Sequence, residues 1–196
     1  MKTREAGFSL IELLVVVALI VILSAISMPM ISQYIRNYQV RGASQQVAAE
    51  LSTARTKAIM RNANRAVMLV VLTQNTYRWV VPDQEMPAGG WRNLGQLLTD
   101  PVQVGPIQTL PSGIQFDATG ATTSLVAFNR LGGQCDPAAT TCGTPALDLT
   151  VPFPGLTDYV AYNIGSGEAT FTVWQNFTGI KRTVRVESGG RVLAQQ

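Results

Sequence analysis

Gly7-Phe8-Ser9-Leu10-Ile11-Glu12 opens the run FSLIELLVVVALIVILSAISMPMI at residues 8–31, in which Glu12 is the one charged residue. As a helix rising ~1.5 Å per residue, these 24 residues span ~36 Å, enough for a ~30 Å bilayer core. The seven residues ahead of the run, MKTREAG, carry Lys2 and Arg4. Positive charge flanking an apolar helix stays on the cytoplasmic side, so the rest of the chain is expected on the opposite side of the membrane.

Three fates of this segment fit the residues unequally. A cleaved signal peptide would use the small-x-small site Ala25-Ile26-Ser27. However, the run exceeds the ~7–15 residues of an ordinary signal core. An acid near the centre of an inserted helix also costs ~2.5–3.5 kcal/mol. A plain uncleaved anchor leaves Glu12 equally unexplained. In the third reading, Gly7 through Glu12 resembles the type IV prepilin cleavage motif, close behind a short basic leader. That resemblance implies cleavage between Gly7 and Phe8 by a prepilin peptidase, N-methylation of Phe8 and retention of the helix. Glu12 then gains a partner, the new α-amino group of Phe8 in its own or a neighbouring subunit. A carboxylate in apolar surroundings is tolerable only when paired. Pro29 cannot donate to the Ala25 carbonyl and is expected to kink or loosen the helix. In the resemblance it stands where pilin-like helices stretch on assembly; the plainer reading is a kink at membrane exit.

Beyond the apolar run the helical pattern continues to residue 62, with Gly42 its weak point. Val40, Ala43, Val47, Leu51, Ala54 and Ala58 recur at steps of three and four and form one face of small and apolar residues. Arg36, Arg41, Arg55, Lys57 and Arg61 occupy the other side. That side reads as a solvated face, as a face beside anionic headgroups, or as a partner for an acidic neighbour in a filament. Counting Arg65, residues 32–66 hold six basic residues and one acid; residues 67–196 hold seven basic and nine acidic.

From about residue 64 the pattern shifts to short β-rich runs at 65–72, 77–81, 114–117, 124–129, 147–151, 159–163, 170–175, 181–187 and 191–194. Residues 82–111 read as loop. The expected fold class is α+β: a long N-terminal helix, apolar then amphipathic, its second half on an antiparallel β-sheet domain, the shape of a ladle. The expected divisions are leader 1–7, transmembrane and assembly helix 8–31, amphipathic half 32–62 and periplasmic β domain 63–196.

Three further stretches narrow the resemblance. AAELSTARTKAIMRNANRAVML at 48–69, IQFDATG at 114–120 and RTVRVESGGRV at 182–192 are similar to segments of the GspH/FimT family of minor pilins and type II secretion pseudopilins. The resemblance implies a pilin-like fold and a structural role. Other pilins or pseudopilins, a prepilin peptidase and the bacterial inner membrane would be its partners.

Composition closes other routes. The chain has no histidine, which removes Ser-His-Asp and Cys-His catalysis, HExxH zinc sites and histidine-ligated haem. Walker A, GxSxG and GxGxxG motifs are absent, so no catalytic residue and no cofactor are expected. Asp136 and the nearby loop acids lack a DxDxDG run, so no metal is expected. Cys135 and Cys142 enclose six residues, and for a domain outside the cytoplasm the default is a disulfide. Lys181, Arg182, Arg185 and Arg191 gather in the last two strands as a tentative DNA-binding patch. Some FimT-like proteins take up DNA through arginines of a C-terminal GRxR motif; in this chain Gly190-Arg191-Val192-Leu193 keeps the first arginine and has leucine in place of the second. The expected function is therefore a structural subunit that initiates or caps a type IV pilus or a type II secretion pseudopilus. The alternatives are a DNA-binding minor pilin and a secreted or anchored periplasmic protein.

Overall fold

The computed structural model describes residues 9–61, 66–80, 105–117, 125–136, 142 and 168–195. The expected cleavage site at Gly7 and Phe8 and the expected strands at 147–151 and 159–163 lie outside these residues. One helix, α1 (Leu10–Arg61), accounts for 52 residues, ~78 Å of rise. It starts where the Ser9 carbonyl accepts from the Glu12 and Leu13 amides at 3.0 and 3.2 Å. The chain divides into two compact units, Met1–Tyr38 and Gln39–Gln196.

In the first unit the described residues are almost entirely helix, and its large apolar side chains are exposed from Leu10 to Ile35. Three of its serines bond within the helix: Ser24, Ser27 and Ser32 donate to the carbonyls of Ile20, Leu23 and Met28 at 2.7–2.9 Å. Such i−4 bonds let serine sit in apolar surroundings without an orphaned donor. The helix is unbroken through Pro29. The ring still leaves the Ala25 carbonyl without its amide donor.

The second unit begins on the amphipathic half of α1. Val40, Ala43, Ser44, Val47, Leu51, Ala54 and Ala58 are buried, so the apolar face read from the sequence is the buried face, with Ser44 added to it. Nine strands are described: β1 (Val67–Val71), β2 (Thr76–Val80), β3 (Gln108–Thr109), β4 (Ile114–Phe116), β5 (Leu125–Phe128), β6 (Gln134–Cys135), β7 (Ala169–Gln175), β8 (Lys181–Val186) and β9 (Val192–Ala194). They form two sheets, ordered β3-β2-β1-β5-β6 and β4-β7-β8-β9. Every pairing is antiparallel. The core cluster joins the buried face of α1 to Val67, Leu69, Tyr77 and Phe128 of one sheet and Phe116, Phe171 and Val184 of the other. Central β1, VMLVV, is buried at all five positions, which is why it reads as an unbroken apolar run rather than an alternation.

Two-residue β3 and β6 fall where the sequence suggests only loop. Strands that short carry no periodicity to detect. The remaining described strands agree with the reading to within two residues at either end.

The turn after β5 and the turn after β8 meet beside α1. Gly132 and Gly190 both hold positive φ, 78° and 76°. A Cβ on Gly190 would collide with the Gly132 carbonyl, and one on Gly132 would come within 2.7 Å of Ile59 Cδ1. The Gln134 amide donates to the Ser188 carbonyl at 2.9 Å. Arg55 of α1 closes the junction by donating from Nε to the Gly132 carbonyl at 3.0 Å and from a terminal nitrogen to the Gly189 carbonyl at 3.5 Å. Arg55, on the basic side of α1, therefore ties the helix to both turns. Gly190→Ala is expected to destabilise the protein by about 3 kcal/mol or more, since it adds a backbone collision to a left-handed conformation. Gly189→Ala, with open space around it, should stay within about 1 kcal/mol. Chemical denaturation of the two variants tests the difference.

Candidate functional site

The residues singled out in the sequence fall into two groups. Glu12 and Pro29 lie on the exposed apolar helix, and the four basic residues lie in or beside the β8–β9 hairpin.

Glu12 sits in the first turn of α1, where a negative charge is favoured by the helix dipole. Its side chain is exposed, and no described residue forms an ion pair with it. Around it, Ile11, Leu13, Leu14, Val15 and Val16 are all about half exposed or more. Among the described residues, α1 is the one helix long and apolar enough to cross a membrane, and its most apolar window is wholly unburied. The arrangement can bind to an apolar phase or to other apolar helices, with one carboxylate available to a cation.

The basic group behaves differently. Alternation along β8 places Lys181, Thr183 and Arg185 on one face and Arg182, Val184 and Val186 on the other. Val184 and Val186 are fully buried. Lys181 donates to Asp117 Oδ2 at 2.6 Å, and the Asp117 side chain is only 4% exposed. Arg185 pairs with Glu168. Arg191 is exposed in the turn before β9. The structure thus splits the tentative DNA patch: two of its cations hold acids, one faces the other way and one stands in the turn. Lys57, like Arg55, belongs to the basic side of α1, read as solvated, beside headgroups or facing an acidic neighbour, and it is engaged within the fold. Its Nζ lies over the Trp79 ring, 3.0 Å from the centroid, a favourable contact for a cation.

Cys135 and Cys142 are joined in a disulfide. The Cys142 carbonyl accepts from the Ala66 amide at 3.0 Å, so the bridge connects β6 to the residue just before β1. Among the described residues, no group of His, Cys, Asp and Glu has the makings of a metal site.

Among the described residues, two groups have displaced proton affinities. Burial, then the Arg61 charge, lowers the Lys57 ammonium, with Glu50 acting the other way. Burial, then the Glu50 charge, raises the Tyr77 phenol to about 12, partly offset by the Gln46 side chain. Tyr77 is fully buried and meets Phe116 edge-on at 5.8 Å between ring centres.

Comparison with known proteins adds one finding at the N-terminus. The profile described as the prokaryotic N-terminal methylation motif matches residues 2–28. The chain carries a prepilin-type N-terminus. This supports a type IV pilin-like or pseudopilin-like protein, and the match spans Gly7, Phe8 and Glu12. No curated protein and no solved structure matches the chain. The motif implies processing by a prepilin peptidase and assembly with other pilins, and the apolar helix beneath it fits a membrane anchor.

Lys181→Ala is expected to cost about 1–3 kcal/mol, because it withdraws a cation from buried Asp117. Arg185→Ala, in an exposed pair, should change stability by under about 1 kcal/mol. Denaturant titration of both variants measures this. At alkaline pH the Tyr77 contribution is intact below ~10, where the unfolded phenol ionises, and is lost as pH rises toward about 12. Lys57 acts oppositely, adding stability as pH rises toward its unfolded value of 10.5. Tyr77→Phe should flatten the decline between these limits, read from unfolding midpoints across the pH series.

Proposed function

We propose that this protein is a structural filament subunit of the GspH/FimT type, a minor pilin or pseudopilin that helps initiate or cap a type IV pilus or a type II secretion pseudopilus. The observation that carries the reading is the methylation motif at residues 2–28, set on the first part of a helix whose large apolar side chains are exposed from Leu10 to Ile35. Before assembly the bilayer covers that surface, with the β-rich unit in the periplasm. Cleavage after Gly7 and methylation of Phe8 leave a single apolar helix that can move from lipid into a bundle of similar helices.

Packing performs the work. Lipid tails and neighbouring helices are about equally apolar, so moving between them needs no large hydrophobic gain. Specific register comes instead from the polar group. Glu12 is costly in either phase until a cation meets it, and the Phe8 α-amine of an adjacent subunit supplies one. In this reading Pro29 marks a weak point, because the Ala25 carbonyl already lacks its donor and a local stretch there breaks one bond fewer.

Duplex DNA binding by Lys181, Arg182, Arg185 and Arg191 is not adopted. Lys181 and Arg185 already hold Asp117 and Glu168, leaving few free contacts to phosphates. Glu12→Ala is expected to leave membrane insertion and folding intact while lowering incorporation into sheared filaments at least about tenfold, the effect of losing a buried charge pair. Immunoblots of membrane and filament fractions measure both. Incorporation equal to the parent chain would remove the pairing role of Glu12 and, with it, assembly through that pair.

A further inference from the structure

Within the second unit, a groove opens between α1 and the far end of the β8–β9 hairpin. It is lined by Arg41, Ser44 and Gln45 from the helix and by Arg182, Ala194 and Gln195 from the strands. No acid stands in this lining. Neither Arg41 nor Arg182 forms an ion pair among the described residues. This sets Arg182 apart from its neighbours on β8, since Lys181 and Arg185 each hold an acid.

Register explains why Arg182 points into the groove. It pairs with Val173 of β7 and shares its strand face with buried Val184. Arg182 is therefore half-buried at the rim of an apolar face, and Arg41 is exposed. Arg41 comes one residue after Val40, the first buried position of α1, and meets the same groove from the helix side. Ser44 is committed locally, donating to the Arg41 carbonyl at 2.8 Å, which leaves the two guanidiniums and two carboxamides as donors.

We infer that this groove binds a phosphate group, either that of a lipid headgroup or phosphate free in solution. Size and donor type select the class. The groove holds about 90 Å³, the space of a few waters and well below the ~300 Å³ at which sites for larger organic ligands begin. Two guanidiniums present forked donors from two sides. A carboxylate carries one charge and two oxygens in a plane. A phosphate monoester or inorganic phosphate carries about −1.5 to −2 and at least three acceptor oxygens spread around phosphorus, which suits two cations lining one groove. The inference is independent of filament assembly and concerns only residues of the second unit.

The test uses the full-length protein with ¹⁵N-labelled arginine, its Arg41 and Arg182 Nε resonances assigned by their loss in Arg41→Lys and Arg182→Lys. In uncharged detergent, inorganic phosphate is titrated against sodium chloride of equal ionic strength. In phosphatidylcholine nanodiscs, preparations with and without phosphatidic acid are compared. Saturable shifts of both resonances with inorganic phosphate in detergent assign free phosphate. Shifts only in discs containing phosphatidic acid assign the lipid headgroup. In either case Arg41→Gln and Arg182→Gln should each weaken binding at least about tenfold, as expected for losing charged hydrogen bonds, while Arg191→Gln leaves it unchanged. The proposal is overturned if neither resonance responds to either source, or if both respond to chloride as strongly as to phosphate. Saturable shifts with short duplex DNA alone would overturn it too. Because the shifts are read on the parent chain, a misfolded variant does not obscure the result.

Discussion

A helix that is apolar on every side for its first half and on one side for its second needs two kinds of cover, and the described residues supply one. From Val40 to Ala58 the cover is internal: small and apolar residues at helical spacing let both sheets approach α1 closely. Fully burying a Val or Leu side chain is worth ~1.5–3 kcal/mol, so this face alone fixes where the sheets lie. From Leu10 to Ile35 the described residues offer no cover at all. An exposed apolar surface of that extent is not stable in water and has to be met by lipid or by other helices. Glu12 is the exception within it. Together these features favour a chain that lives first in a membrane and then in a bundle.

The helix is legible in the sequence because two periodicities are superposed on it. Continuous apolarity gives length without direction, and the Val40–Ala58 spacing gives direction. The longer strands are legible too, β7 and β8 through alternation and β1 as a run buried on both faces. β3 and β6 are not, since two residues cannot express a period. Their positions depend on the strands they pair with, β3 on Tyr77, 31 residues before Gln108, and β6 on Ala127 across the turn that leads to Cys135.

Charges are the least readable feature. Periodicity places Arg55 and Lys57 off the apolar face, which is correct, and so suggests solvent. The structure uses them across the fold: Arg55 holds the carbonyls of Gly132 and Gly189, and Lys57 lies on Trp79. The stretch resembling a GspH/FimT ending makes physical sense in the same way. Gly190 stands where the Gly132 carbonyl leaves no room for a side chain, and its turn receives the helix arginine. On β8, sequence proximity groups four cations that strand alternation and two acids separate. Proximity along a strand says little about a shared surface unless the partners on adjacent strands are known, and Asp117 reaches Lys181 from another strand end entirely.

Assembly through the apolar helix requires that the helix be kept and trimmed rather than discarded. The most direct measurement is the intact mass and N-terminal residue of the protein taken from its native membrane. A chain beginning at N-methylated Phe8 is the predicted result, since it places the new amine four residues from Glu12. A chain beginning near Met28 would mean that the apolar helix is a discarded signal, and an intact Met1 in cells containing an active prepilin peptidase would mean that it is a plain anchor. Either would contradict a filament subunit built on this helix.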